Sequence, residues 1–225
     1  ITLNDSTIQF SDTEKLLGVH VDNNLNWKTQ VQNTLKKCNS LLYLLLRIKH
    51  FLNLHTRKMF FNAYILPHLD YCCTIWGNCN IELLDNMYKF QKRAARIILD
   101  KDFDTPTNYL FSQLNWMKFS DRVNYKKAIL VYKSLNNLLP YHMTKHFSYT
   151  THRSLRSYEQ KLLTVPKPRI EFYRKSFAYS GSKFWNSIPF NVRNSKDLKS
   201  FKTSYIKWWF SGGQQTPTLN SYDIK

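Results

Sequence analysis

Four cations, Lys89, Lys92, Arg93 and Arg96, recur three and four residues apart in a stretch otherwise rich in apolar side chains. In a helix that spacing puts them on one face. A helical row of cations suits the tracking of a phosphate backbone, because phosphates attract positive charge whatever bases they carry. An ordinary solvated face mixes signs. Here the acidic neighbours, Glu82 and Asp85, fall at the start of the helix, where they complement its dipole. Lys36 and Lys37, on an earlier helical stretch, are a second pair of candidate nucleic-acid contacts.

Other groupings could do chemistry in principle. Asp100, Asp102 and Asp104 could hold catalytic metals, but they follow a helix end beside Lys101 and before Pro106, as a solvated turn does. No phosphate-binding glycine loop, nucleophile elbow or oxyanion hole accompanies them. No catalytic residue is expected in this chain. His68, Cys72, Cys73 and Cys79 match neither a zinc knuckle nor a zinc finger, and no paired CxxC occurs, so they read as core residues and no metal or cofactor is expected. Aromatic rings alternate with cations at Tyr43, Phe60, Phe61, Tyr64, Trp208 and Trp209. Bases stack on such rings at about 1–3 kcal/mol each, although most of these positions fall on apolar helical faces and belong to cores.

The elements that must position these residues are mainly helical. Ile1, Leu3, Ile8 and Phe10 alternate with polar residues around Asn4-Asp5-Ser6, the pattern of a short β-hairpin. A third strand is expected over Leu16–Val21, with Leu17, Val19 and Val21 on one face. The period then changes. Asn26 is placed to cap a helix whose face is Trp27, Val31, Leu35, Cys38, Leu42 and Leu45. A second helix is expected from Leu54 to Leu66, ended by Pro67. His68 to Trp76 leans towards helix, closed by Gly77-Asn78. The clearest helix is Ile81 to Leu99, where Leu83, Met87, Phe90, Ala94 and Ile97 form the apolar stripe opposite the cations. Further helices are expected at Thr105–Leu114, Ser120–Leu135, Tyr141–Phe147, Tyr173–Ile188 and Lys196–Phe210. The polar, basic stretch 148–172 reads as a linker or long loop, and 211–225 as a disordered tail.

Composition agrees with a polyanionic partner. The 225 residues hold 33 Lys and Arg against 15 Asp and Glu, a net charge of +18. That excess costs self-repulsion, which a nucleic acid relieves. With 43% hydrophobic residues the chain can build a core. Its longest apolar run, Leu41–Leu46, is too short to cross a bilayer, and no membrane partner is expected. Four cysteines are too few for a disulfide scaffold, and no secretion signal is recognised, so the expected compartments are cytoplasm and nucleus. The opening Ile1, not Met, gives the expectation of a piece of something longer.

Four blocks, in order, resemble the C-terminal part of a non-LTR (LINE-type) retrotransposon reverse transcriptase. They are Glu14–Asp22 with Leu25-Asn26-Trp27; Ile65-Leu66-Pro67-His68-Leu69-Asp70-Tyr71 with Trp76-Gly77; Gln91–Ile98; and Phe184-Trp185-Asn186-Ser187-Ile188-Pro189 with Ser200-Phe201-Lys202. The family usually has an aromatic residue where this chain has Leu16. The resemblance implies that residues 1–25 end the palm, with Leu17-Gly18 as a primer grip, and that 26–147 form a helical thumb and connection. A C-terminal helical region, 173–210, would follow the linker. It further implies RNA and RNA–DNA hybrid as partners, together with the palm and fingers of a parent polymerase. The metal-binding aspartates, and the magnesium they hold, would belong to that palm, since no adjacent Asp-Asp occurs in this chain. The expected function is thus a fragment of an RNA-directed DNA polymerase that grips template-primer by its backbone. The alternative is a non-catalytic helical module that docks on a partner protein.

Overall fold

A computed structural model describes residues 2–3, 6–7, 10–150 and 160–213. Among these the chain is mainly α, with antiparallel strand pairs at its start, as the sequence pattern predicts. It divides into two compact units, Ile1–Phe119 and Ser120–Lys225. No helix among the described residues is long and apolar enough to cross a membrane.

In the first unit, β1 (Thr2–Leu3) pairs with β2 (Ser6–Thr7). The turn residues Asn4 and Asp5 lie outside the described residues. The strand expected over Leu16–Val21 is instead the tip of a hairpin. β3 (Thr13–Leu16) pairs with β4 (Val19–Asp22), Leu16 opposite Val19. Leu17 (φ 46°) and Gly18 (φ 85°) make the two-residue turn between them. A turn with positive φ at both central positions matches the right-handed twist of a hairpin, and Gly18 supplies the second at no steric cost.

Helix α1 (Lys28–Ile48) buries Val31, Thr34, Cys38, Leu42 and Leu45 along one side, with Trp27 buried just before it; Leu35 is only partly covered. Asn26 does not cap it. The carboxylate of Asp22 accepts the backbone N–H groups of Asn24 (3.2 Å), Asn26 (2.9 Å) and Trp27 (2.8 Å). A charged acceptor at the end of β4 thus fixes the turn that leads into the helix, and no side chain caps the helix itself. Gln30 fastens the same joint, its Oε1 accepting the His20 N–H at 2.9 Å.

Pro67 does not end the second helix. After α2 (Leu54–Phe60) the chain widens into a π-helical turn, Phe61–Ile65, and continues as α3 (Leu66–Asp70). In a regular helix the Pro67 ring would strike a carbonyl one turn back. The wider turn, in which Leu66 N–H reaches the carbonyl of Phe61, accommodates it. Tyr71 and Cys72 (φ 49°) then break the helix before α4 (Cys73–Trp76).

Helix α5 (Ile81–Leu99) has the limits read from the sequence. The Asn80 side chain accepts from Leu83 N–H at 3.0 Å at its start. At its end Arg57 donates to the Ile98 carbonyl at 3.1 Å, a cation at the negative end of the helix dipole. Helix α6 (Thr107–Leu114) follows. Gln91, although polar, is buried on α5. Its amide donates to the Met117 carbonyl (3.2 Å) and accepts from Phe119 N–H (2.8 Å), so one side chain fixes the connection between α6 and the next helix.

The second unit is held by aromatic packing. Tyr132 of α7 (Phe119–Leu135) stacks on Phe201 of the Leu198–Phe210 helix at 4.6 Å, and Trp185 lies against the same ring at 5.6 Å. The stretch read as a linker has 151–159 outside the described residues. Its flanks pair, with Thr150 N–H on Leu162 O and Thr164 N–H on Ser148 O. Buried Leu163 is held on both sides of its backbone by the Asn186 amide, at 2.8 Å each way. Helices Tyr141–Thr144, Glu171–Lys175, Phe177–Ser187 and Phe190–Arg193 complete the unit. Residues 214–225 of the expected tail lie outside the described residues.

Candidate nucleic-acid interface

On α5 the buried residues Leu83, Met87, Phe90, Gln91, Ala94, Ala95 and Ile98 occupy one side. At about 100° per residue, Lys89, Lys92, Arg93 and Arg96 fall within an arc of roughly 100° on the opposite side. They share a face, but their surroundings differ. Lys89 is ion-paired with Asp85 at 2.7 Å, both side chains well exposed. Arg93 donates to the neutral Asn39 side chain of α1 at 2.8 Å, and no carboxylate among the described residues pairs with it. Lys92 lies over the Tyr88 ring at 4.8 Å. Arg96 lies over Phe103 at 4.8 Å, with its Nε buried and without a hydrogen-bond partner.

Lys118 joins this face from a distant part of the chain. Its ammonium sits 5.6 Å from the Tyr88 ring that Lys92 also covers. No periodic signal marks it in the sequence, since it arrives through the connecting segment that Gln91 fixes.

Lys36 and Lys37 are both exposed on α1, but the two do not act together. Helix geometry puts Lys36 about 60° from Asn39, the residue that Arg93 reaches, whereas Lys37 is about 160° away. Lys36 therefore extends the α5 face and Lys37 does not. Tyr43, 60% exposed, follows Asn39 by one turn on the same side. Of the other interleaved aromatics, Phe61 is buried against Trp116 at 4.3 Å, and Tyr64 is exposed but packs on Phe60 at 4.9 Å. Trp208 stands edge-on to Tyr205, and Trp209 edge-on to Phe210.

The Leu17-Gly18 turn is anchored elsewhere. The Tyr71 hydroxyl donates to the Leu17 carbonyl at 2.5 Å. A Cβ on Gly18 would stand 3.6 Å from the Tyr71 ring, ordinary contact, so the positive φ is what favours glycine there. Tyr71 closes one of the sequence blocks and Leu17-Gly18 lies in another, so two blocks meet in space. Leu16 and Leu17 remain 66% and 84% exposed.

The aspartates do not gather. Asp100 is paired with Lys49, whose hydrogen bond and charge hold its carboxyl below the usual carboxylate range. No three His, Cys, Asp or Glu side chains among the described residues converge as a metal site. Burial pushes the Cys38 thiol up to about 12. No family model, curated protein or solved structure matches the chain.

Proposed function

We propose that this chain binds RNA–DNA hybrid through the phosphate backbone, as the thumb-like and downstream part of a non-LTR retrotransposon reverse transcriptase whose catalytic aspartates lie in other segments. The observation that carries the binding is the α5 face, where Lys92, Arg93, Arg96 and Lys118 are free of any described carboxylate and are steadied by rings and by Asn39. Cations steadied in advance lose less side-chain entropy when they meet phosphates. Such a grip carries no base information, which suits a polymerase whose template changes at each step. Assignment to the reverse transcriptase rests on the order of the four sequence blocks. The contact between Tyr71 and Leu17 supports it, since two of those blocks meet there.

The first test is charge reversal. Changing Lys89, Lys92, Arg93 and Arg96 to Glu is expected to weaken hybrid binding at least tenfold with the helical circular dichroism retained. Unchanged affinity in the folded variant removes this face from the account. A second reading, docking on a partner protein, draws on the exposed Leu16-Leu17 tip beside half-exposed Tyr71. It predicts a stable protein complex and no affinity for RNA.

A further inference from the structure

Within the second unit, a cavity of about 130 Å³ opens between α7, the segment around Lys161 and the turn after the Phe190–Arg193 helix. That volume is roughly ten times what one water molecule needs. Among the described residues its wall includes Arg193, Lys161, Tyr149, Asn194, Phe190 and Trp185, and no carboxylate.

Arg193 is the unusual member. It is only 8% exposed, yet no acidic side chain among the described residues pairs with it. Buried guanidinium groups are ordinarily matched by an anion. Here backbone carbonyls hold it: Nε donates to Ile188 O at 2.8 Å, and Nη1 to Gln160 O and Lys161 O at 2.9 Å each. Its other terminal nitrogen has no partner among the described residues. Lys161 adopts the left-handed conformation (φ 50°), and its ammonium reaches Asn194 Oδ1 at 3.3 Å, so a second cation stands at the same wall. Burial raises the Tyr149 hydroxyl above its ordinary range, which keeps it a neutral donor near Arg193. Carbonyls satisfy the donors of a guanidinium, but they do not neutralise its charge.

We propose that this cavity is a binding site for a phosphomonoester, its oxygens received by Arg193, Lys161 and the Tyr149 hydroxyl. A dianion with several acceptor oxygens matches two cations and a hydroxyl donor better than a single carboxylate does. Phe190, 41% exposed at the wall and 5.9 Å from the Arg193 guanidinium, offers a ring for a planar group attached to the phosphate. The phosphate could be carried by a free nucleotide or by the 5′ end of a strand; the chemistry is shared. The site does not depend on the α5 face.

The test uses the full chain in a Lys92→Gln, Arg93→Gln, Lys118→Gln background, so that α5 contacts do not contribute. Inorganic phosphate, AMP and a tetranucleotide with or without a 5′-phosphate are titrated by calorimetry. Saturable one-site binding is expected for the phosphorylated probes, weakened at least tenfold by Lys161→Met and by Arg193→Lys. Lys161 is exposed, so its variant keeps the test readable if Arg193→Lys loosens the fold. AMP binding as tightly as the 5′-phosphorylated strand supports a free-nucleotide source. A strand at least tenfold tighter than AMP supports a strand end. Absence of saturable binding by all phosphorylated probes, equal binding of the 5′-hydroxyl strand, or indifference to Lys161→Met overturns the proposal.

Discussion

Neutralising Lys92, Arg93 and Lys118 to Gln is expected to flatten the salt dependence of hybrid binding without unfolding the chain. Each cation that displaces a counterion from duplex phosphate contributes about 0.9 to the slope of log affinity against log salt. Three such groups contribute about 2.7, which corresponds to a roughly 40-fold share of the affinity lost between 50 and 200 mM salt. Lys89 belongs in a different class, because Asp85 already holds it at 2.7 Å. The double change Asp85→Asn, Lys89→Gln removes an exposed pair that contributes little to stability, and it leaves the charge of the face unaltered. The measurement is fluorescence anisotropy of a labelled RNA–DNA hybrid over a salt series, with helical circular dichroism as the folding control. The triple variant should lose about 2.7 from the slope and the double variant almost nothing. A triple variant with the parental slope, or a double variant as damaged as the triple, would falsify the assignment of phosphate contacts to these side chains.

Further expectations rest on other parts of the molecule. Gln91→Leu leaves the Phe119 N–H and the Met117 carbonyl without their partner, and denaturant unfolding should show a loss of about 1–3 kcal/mol for each group stranded in the interior. Tyr43→Ala should reduce single-stranded RNA affinity by about 1–3 kcal/mol if a base stacks there, with hybrid binding much less affected. Thiol labelling of the native chain at pH 8 should be fast at partly exposed Cys72 and slow at Cys38, which is buried and has its thiol pushed up to about 12; rapid labelling of Cys38 would contradict its place in the core. Asp100 has its folded carboxyl pKa depressed by Lys49, so the stability it adds is present above the ordinary carboxylate range and fades as pH falls through the depressed value. The acid-side loss should be smaller in Lys49→Met, read from thermal melts across pH 2–6.

The helices were legible wherever one face had to be apolar over several turns. Ile81–Leu99 shows this best, because the same 3.6-residue period that buries Leu83, Met87, Phe90 and Ala94 also lines up the cations opposite. The hairpin tip was not legible. Leu17 is apolar and fits an alternating strand, and a lone glycine marks a bulge as readily as a two-residue turn. Pro67 misled for a related reason: a proline ordinarily stops a helix, but the π-turn ahead of it absorbs the clash, and that depends on packing of Phe61 and Ile65. The role of Asp22 was hidden because its carboxylate sits at the end of β4 and ties down the turn into α1, where the sequence suggested Asn26 as a cap. Of the candidate interface, the α5 row could be read from spacing; the choice of Lys36 over Lys37 could not, because it follows from where Asn39 meets Arg93. Lys118 and Asn39 could not, since each meets the face only through tertiary packing.

The proposed grip holds nucleic acid by its backbone without reading sequence. The direct test is to titrate the intact chain with two RNA–DNA hybrids of unrelated sequence at 50 and 200 mM salt. Equal affinity for the two hybrids and a steep, shared loss at the higher salt are expected of such a grip. A strong preference for one sequence, a salt-insensitive affinity, or no binding at 50 mM would contradict it.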